Sequence, residues 1–261
     1  MANQYIAGLF ATLVLLMALW SPLRAAPAPT VEPARAAALV ARLKQARPEF
    51  EYGDVKPSPV PGIFEVQVLN GPLLYVVGDG DFFFSGDLYQ VKSDAFVNIR
   101  EVQLQGLRKQ QLALVPLPEM IVFAPEAPAR AVVNVFTDVD CGYCRLFHKE
   151  VPALNRIGIE VRYLAFPRAG IDSEPYRKYV SAWCSKEPRK TLTTLKGGGK
   201  VPENLCTGNP VAKQYKLALT LGINGTPAIV LADGTLLPGF MPAAELGKML
   251  GLGAAAPALV K

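Results

Sequence analysis

Phe136 to Glu150 reads FTDVDCGYCRLFHKE and sets two cysteines, Cys141 and Cys144, on either side of a Gly-Tyr pair. Upstream, Ala131 to Phe136, AVVNVF, is a short β-branched run with the character of a buried strand. Downstream, between Arg145 and Leu154, Leu146, Val151 and Leu154 recur at helical spacing. The pair therefore sits at a strand-to-helix junction, with Cys141 near the helix N-terminus. Unsatisfied backbone N–H groups and the positive end of the helix dipole favour a thiolate there, so Cys141 is expected to have a lowered pKa and to act as a nucleophile near neutral pH. One turn on, Cys144 is within reach to close a disulfide back onto it. So short a loop removes little entropy from the unfolded chain, which makes the pair a poor staple and suits it to reversible exchange.

Two further cysteines, Cys184 and Cys206, bring the total to four. Zinc would need two close pairs converging on a tetrahedron, and only one close pair exists; the lone histidine, His148, follows Cys144 on the same helix. No metal is expected. The even count leaves two readings, a pair of structural disulfides or one structural and one reactive pair.

At 261 residues with 51% apolar side chains, the chain can bury a sizeable core. Its net charge of +5 comes from 27 basic and 22 acidic residues scattered along the chain, without the dense basic block of a nucleic-acid footprint. Ile6 to Trp20 is an uninterrupted apolar run followed by Ser21-Pro22 and an alanine-rich patch, which matches a secretory h-region and cleavage zone. An uncleaved anchor is the rival reading, but the run is shorter than the roughly 18 to 20 residues that span a bilayer. Residues 1–25 are therefore read as a signal peptide, and the remainder as an exported protein in an oxidising compartment.

After the leader, Glu32 to Gln45 carries Ala36, Leu39, Val40 and Leu43 on one helical face, and Gly62 to Ile99 reads as a β-meander turning at Gly78-Asp79-Gly80. So thin a unit leaves strand edges exposed, and dimerisation through them would cover both edge and core. Asn98 to Val115 reads as a linker helix in which Val102, Leu107, Leu112 and Leu114 are loosely periodic, Gly106 interrupts the pattern, and Pro116 and Pro118 make the stop. MIVF at Met120 opens the next domain, and the tail after Leu252 reads as a frayed end.

CGYC after a strand, with GTPAIV later at Gly225 to Val230, resembles a thioredoxin-type domain. FTDVDCGYC, VRYLAFPRAGIDSE (Val161 to Glu174), AWCSK (Ala182 to Lys186) and GINGTPAIVLADGTLLPGF (Gly222 to Phe240) are together similar to periplasmic disulfide isomerases of the DsbC type. LYVVGDGDFFFSGDLYQV and EMIVFAP extend the likeness through the N-terminal half. The resemblance implies an α/β fold, α+β overall: a C-terminal thioredoxin-like domain with a helical insertion, a small N-terminal β-rich dimerisation domain and a linker helix. The corresponding spans are 1–25 for the signal, 26–97 for the dimerisation domain, 98–118 for the linker helix and 119–261 for the catalytic domain.

The resemblance further implies a cis Thr226-Pro227 bond facing the dithiol, with Thr226 and Pro227 binding substrate, where the residues alone would also allow a strand-entry proline. It implies a buried structural disulfide between Cys184 and Cys206, worth about 3 kcal/mol by chain entropy. The activity implied is isomerisation and reduction of non-native disulfides in exported, misfolded proteins. Cys141 attacks, Cys144 resolves, and Gly142 and Tyr143 tune the redox pair, as does Asp140, which departs from the neutral residue the family would place there. No cofactor is called for; the implied partners are a second copy of the chain and a membrane electron donor of the DsbD type. Alternatives are a DsbA-like thiol oxidase, a binding module or holdase with an incidental dithiol, and a client-specific isomerase of a secretion or conjugation system.

Three positions stand apart. Asp140, next to the nucleophile, should raise the Cys141 pKa if its carboxylate lies near the sulfur. His148 reads as an ordinary, partly buried helix residue in preference to a proton shuttle. Position 135, where thioredoxins keep a buried carboxylate, is Val135, so proton transfer needs water or another group.

Overall fold

The computed structural model describes residues 30–253, save Asn70. The expected leader, residues 1–25, and the tail from residue 254 onward lie outside the described residues. The chain divides into two compact units at Gly86/Asp87.

In the first unit, helix α1 (Pro33–Ala46) is followed by an antiparallel meander of β1 (Tyr52–Pro57), β2 (Ile63–Val68), β3 (Leu73–Val77) and β4 (Phe82–Ser85) in sequential order. Proline at the first helical position starts α1 without wasting a donor. Its Leu39 and Leu43 pack on Val66, Val68, Leu74 and Val76, which form the core of this unit. Strand β1 was not foreseen, since EYGDVKP has little β propensity; it forms because β2 offers an unpaired edge, and its register shifts between Tyr52 and Val55. At the other edge, Phe82, Phe83 and Phe84 of β4 are all exposed.

The second unit opens with a two-stranded ribbon, β5 (Tyr89–Val91) and β6 (Phe96–Asn98), and helix α2 (Ile99–Ala113), which Asn98 caps by accepting the Glu101 N–H at 3.0 Å. The helix runs through Gly106 unbroken; of the expected apolar positions Leu112 is buried and Leu107 packs beside it on the domain core, while Val102 and Leu114 are exposed, so the stripe alone does not dock it. Arg108 adds to it, at 1% exposure: its Nε donates to the Leu221 carbonyl at 3.0 Å and its terminal nitrogens clasp Glu101. After a 3-10 turn at Leu117–Glu119 comes a five-stranded sheet.

That sheet contains β7 (Ile121–Phe123), β8 (Ala131–Thr137), β9 (Ile159–Ala165), β10 (Ala228–Leu231) and β11 (Leu236–Pro238), ordered β11-β10-β8-β9-β7. Only β8 and β9 are parallel, joined by α3 (Gly142–Arg156); the other pairs are antiparallel. Helices α4 (Glu174–Trp183), α5 (Pro188–Lys196) and α6 (Val211–Thr220) fill the stretch between β9 and β10, and α7 (Ala243–Met249) closes the domain. Alternation along β8 sends Val133 and Val135 into one core with Phe147, Val151 and Leu154, and Phe136 into a second with Leu164, Leu221 and Val230. On α3 the buried positions are Cys144, Phe147, Val151 and Leu154; Leu146, expected inside, is 43% exposed. Among the described residues no helix is long and apolar enough to cross a membrane.

Candidate active site

Strand β8 ends at Thr137, and the chain needs four residues, Asp138 to Cys141, to enter α3. Asp138 organises that turn. Its buried carboxylate accepts the Asp140 N–H at 2.8 Å through one oxygen, and the Arg168 N–H at 2.8 Å and Arg168 Nε at 3.3 Å through the other. The turn is thereby fixed to the loop after β9, and Cys141 becomes the N-cap of α3, its carbonyl accepting the Arg145 N–H at 3.1 Å.

Cys141 is 4% exposed and Cys144 is fully buried, and both are free thiols. The Cys141 thiol donates to the carbonyl of Thr226 at 3.3 Å, across from the helix tip, and the Thr226-Pro227 peptide is cis. Burial pushes the Cys141 thiol up. Against it act the Thr226 side chain, the backbone N–H and thiol of Cys144, and the charge of Arg168, and these win, leaving Cys141 below its ordinary value. The Thr226 hydroxyl, buried with no hydrogen-bond partner among the described residues, acts to lower both thiols. For Cys144 burial dominates and its thiol is raised, although Lys196, Thr137, the Asp138 N–H (3.4 Å from the sulfur) and Thr226 all act to lower it. One sulfur is thus poised as a thiolate and the other is held protonated behind it.

Between the cysteines, Tyr143 is exposed and Gly142 has open space where a Cβ would stand, so both lie at the outer tip of the helix. Asp140 is not a bare charge beside the sulfur. Its carboxylate is held by Lys178 at 3.1 and 3.2 Å and by Arg145 at 3.3 Å, and the expected upward pull on Cys141 is not what prevails. His148 bonds Tyr163 Oη at 3.1 Å and Thr193 Oγ1 at 3.0 Å, and burial, with Lys196 nearby, pushes its pKa down to about 4, so it is a neutral packing residue. Val135 is buried in the sheet. Among the described residues no three potential metal ligands converge.

Cys184, at the C-cap of α4, is bonded to Cys206 in the loop before α6. The bridge is not buried, contrary to expectation: Cys184 is half-buried and Cys206 exposed, because the loop that carries Cys206 lies over the end of α4 at the surface.

Two residues of the site escaped the sequence reading. Asp138 had a visible signal, an acid in the short turn between strand and helix, where Asx side chains bind backbone N–H groups. Lys196 had none. It ends α5, where a basic residue reads as a dipole partner, yet it is 3% exposed and its Nζ donates to the Asp138 carbonyl at 2.9 Å and to Thr137 Oγ1.

A central parallel β–α–β unit, a CxxC pair at its helix tip and a cis-proline loop facing the first sulfur define a thioredoxin-like thiol–disulfide oxidoreductase. Residues 117–254 match the thioredoxin-like domain family, and residues 30–101 match the disulfide bond isomerase protein N-terminal domain. The chain is similar to the thiol:disulfide interchange protein DsbC of Escherichia coli, at 39% identity over 202 residues, covering 77% of this chain and 82% of the relative. It is similar also to the protein of that name from Haemophilus influenzae, at 34% identity over 223 residues, covering 84% and 93%. A disulfide interchange protein from Neisseria gonorrhoeae, whose structure is solved, is 26% identical, with a TM-score of 0.47, over 54% of this chain and all of that one. The chain belongs to the DsbC-type family of thiol:disulfide interchange proteins, and it is an enzyme of thiol–disulfide exchange.

Proposed function

We propose that the chain isomerises, and secondarily reduces, non-native disulfides in exported proteins, with Cys141 as nucleophile and Cys144 as resolving thiol. The observation that carries this is the opposed setting of the two sulfurs: Cys141 at the helix N-cap is lowered, and Cys144 behind it is raised. The Cys141 thiolate attacks a substrate disulfide to give a mixed disulfide and a substrate thiolate. Either another substrate thiol displaces Cys141, completing an isomerisation, or Cys144 attacks and releases reduced substrate. Thr226 and Pro227, beside Cys141, hold the substrate backbone, and Asp140, Gly142 and Tyr143 set the redox balance at the helix tip. The Cys184–Cys206 bridge is structural.

Residues 1–25 serve as the export signal to the periplasm. Residues 26–97 form the dimerisation domain, 98–118 the linker helix and 119–261 the catalytic domain. The β4 edge supports dimerisation, since three exposed phenylalanines on the strand at the end of the sheet invite a second copy. A membrane donor of the DsbD type would keep the dithiol reduced. The test is reactivation of a scrambled disulfide protein by the full-length chain: Cys141→Ser abolishes it, and Cys144→Ser accumulates a covalent complex with substrate. Equal activity of Cys141→Ser and wild type overturns the reading, as a purely monomeric full-length chain in sedimentation overturns the dimer.

A further inference from the structure

A lysine 3% exposed is unusual, because its ammonium gives up hydration that only a partner can replace. Among the described residues Lys196 is ion-paired with no carboxylate; its Nζ meets only the Asp138 carbonyl and Thr137 Oγ1. The Asp138 carboxylate is occupied by Arg168. Both of its oxygen partners lead to Cys144. The Asp138 N–H donates to Cys144 Sγ at 3.4 Å, and the Thr137 side chain acts on the same thiol to lower its pKa. The Thr137 hydroxyl, which accepts from the buried amine, thus belongs to the surroundings of a buried thiol as well.

We propose that Lys196 is the positioning residue for the resolving step: through the Thr137 hydroxyl it takes up the proton that Cys144 releases, and the ammonium so formed stabilises the Cys144 thiolate. This rests on the reading of Cys144 as the resolving cysteine. In the mixed disulfide, the Cys144 thiol passes its proton to Thr137 Oγ, whose own proton moves to the neutral Lys196 amine, and the lysine–threonine hydrogen bond reverses. The Cys144 thiolate then attacks Cys141 Sγ. The Cys141–Cys144 bond forms, the bond from Cys141 to the substrate sulfur breaks, and its electron pair leaves with the substrate as a thiolate that solvent protonates. The dithiol is oxidised and the substrate reduced by the same two electrons.

The surroundings fit this role. Burial brings the Lys196 pKa down to about 8, so a neutral amine is accessible near physiological pH, while Cys144, Asp138 and Cys141 favour its charged form and Arg145 opposes it. From α3, His148 also faces it and is held neutral; from β9 the Tyr163 ring lies with its centroid 5.8 Å from Nζ. Tyr163 and Tyr179 are both pushed well above their ordinary values by burial, so neither phenol competes for the proton.

The experiment uses the full-length reduced protein with glutathione disulfide as probe. Acid quenching and mass measurement separate formation of the Cys141–glutathione adduct from its resolution, across a pH range spanning the lysine and thiol values. In Lys196→Met, resolution is expected to slow by about tenfold or more at neutral pH and its profile to move up by about one unit or more, the effect of losing one neighbouring opposite charge. Adduct formation changes far less. Resolution with the wild-type rate and profile overturns the inference. Thr137→Val, which keeps the lysine and removes the bridging hydroxyl, reads the same quantity should Lys196→Met not fold: a slower, upshifted resolution supports the relay, and an unmoved profile overturns it. Cys144→Ser separates the two levels of the argument. A persistent adduct upholds Cys144 as resolving thiol whatever Lys196 does, and an adduct resolved as fast as in wild type overturns that reading and the inference with it.

Discussion

Asp138→Asn is the most searching single change to the scaffold of the site. It alters almost no volume, yet the carboxylate is an acceptor at both oxygens, toward the Asp140 N–H on one side and the Arg168 N–H and Nε on the other. An asparagine offers one acceptor. If its oxygen keeps Asp140, its NH2 faces the Arg168 N–H, donor against donor. Losing a charge-assisted bond and leaving a buried N–H unsatisfied costs about 2 kcal/mol. The half-exposed Arg168 guanidinium rehydrates, so its contribution is at most about 1 kcal/mol. The expected loss is therefore about 3 kcal/mol in the second unit. Trp183, the single tryptophan among the described residues, lies in that unit with Nε1 donating to the Glu119 carbonyl at 2.7 Å, so urea unfolding followed by its fluorescence reports the right transition. In an Arg168→Gln background the same change should cost less only by the guanidinium part, leaving most of the loss in place. A destabilisation below about 1 kcal/mol in Asp138→Asn would refute the claim that this carboxylate holds the turn.

Three further outcomes are expected. His148 is held down to about 4 against an ordinary value near 6.5, so the unfolded chain takes up the proton first. Stability contributed by the neutral ring therefore falls as pH drops through that window, and His148→Gln should flatten the urea-midpoint profile there; equal slopes in the two proteins would count against it. Asp140→Asn frees Lys178 and Arg145 from their shared carboxylate, so the Cys141 thiolate absorbance should titrate slightly lower at low salt and be unchanged at high salt; an upward shift is the contrary result. Replacing Cys184 and Cys206 together by alanine should cost about 3 kcal/mol of stability, measured by the same unfolding assay, and no loss would mean that the bridge constrains nothing.

What the sequence made legible was local pattern. The β-branched run before Cys141, the helix after it, the meander around Gly78-Asp79-Gly80 and the proline stop all follow from periodicity and turn chemistry. The errors came where tertiary context decides. Leu146 and Phe147 are adjacent apolar residues, and only packing against the sheet decides which of them faces inward. Strand β1 exists through its partner and not through its own residues. The deepest omission was of buried cations. Arg108 and Lys196 sit on helices that also carry charges at the surface, and a side chain long enough to reach a carbonyl on another element is indistinguishable in sequence from one reaching into solvent.

The bond between Cys184 and Cys206 joins the two ends of the segment that contains α5, holding their Cα atoms 5.7 Å apart. Lys196 rides on that segment. The outer sulfur pair therefore closes a covalent ring, and on the relay proposed above the far side of that ring carries the amine that serves the inner pair. With the ring open the lysine would ride on a tether with free ends, so reducing the outer bond should loosen the resolving chemistry at the inner one.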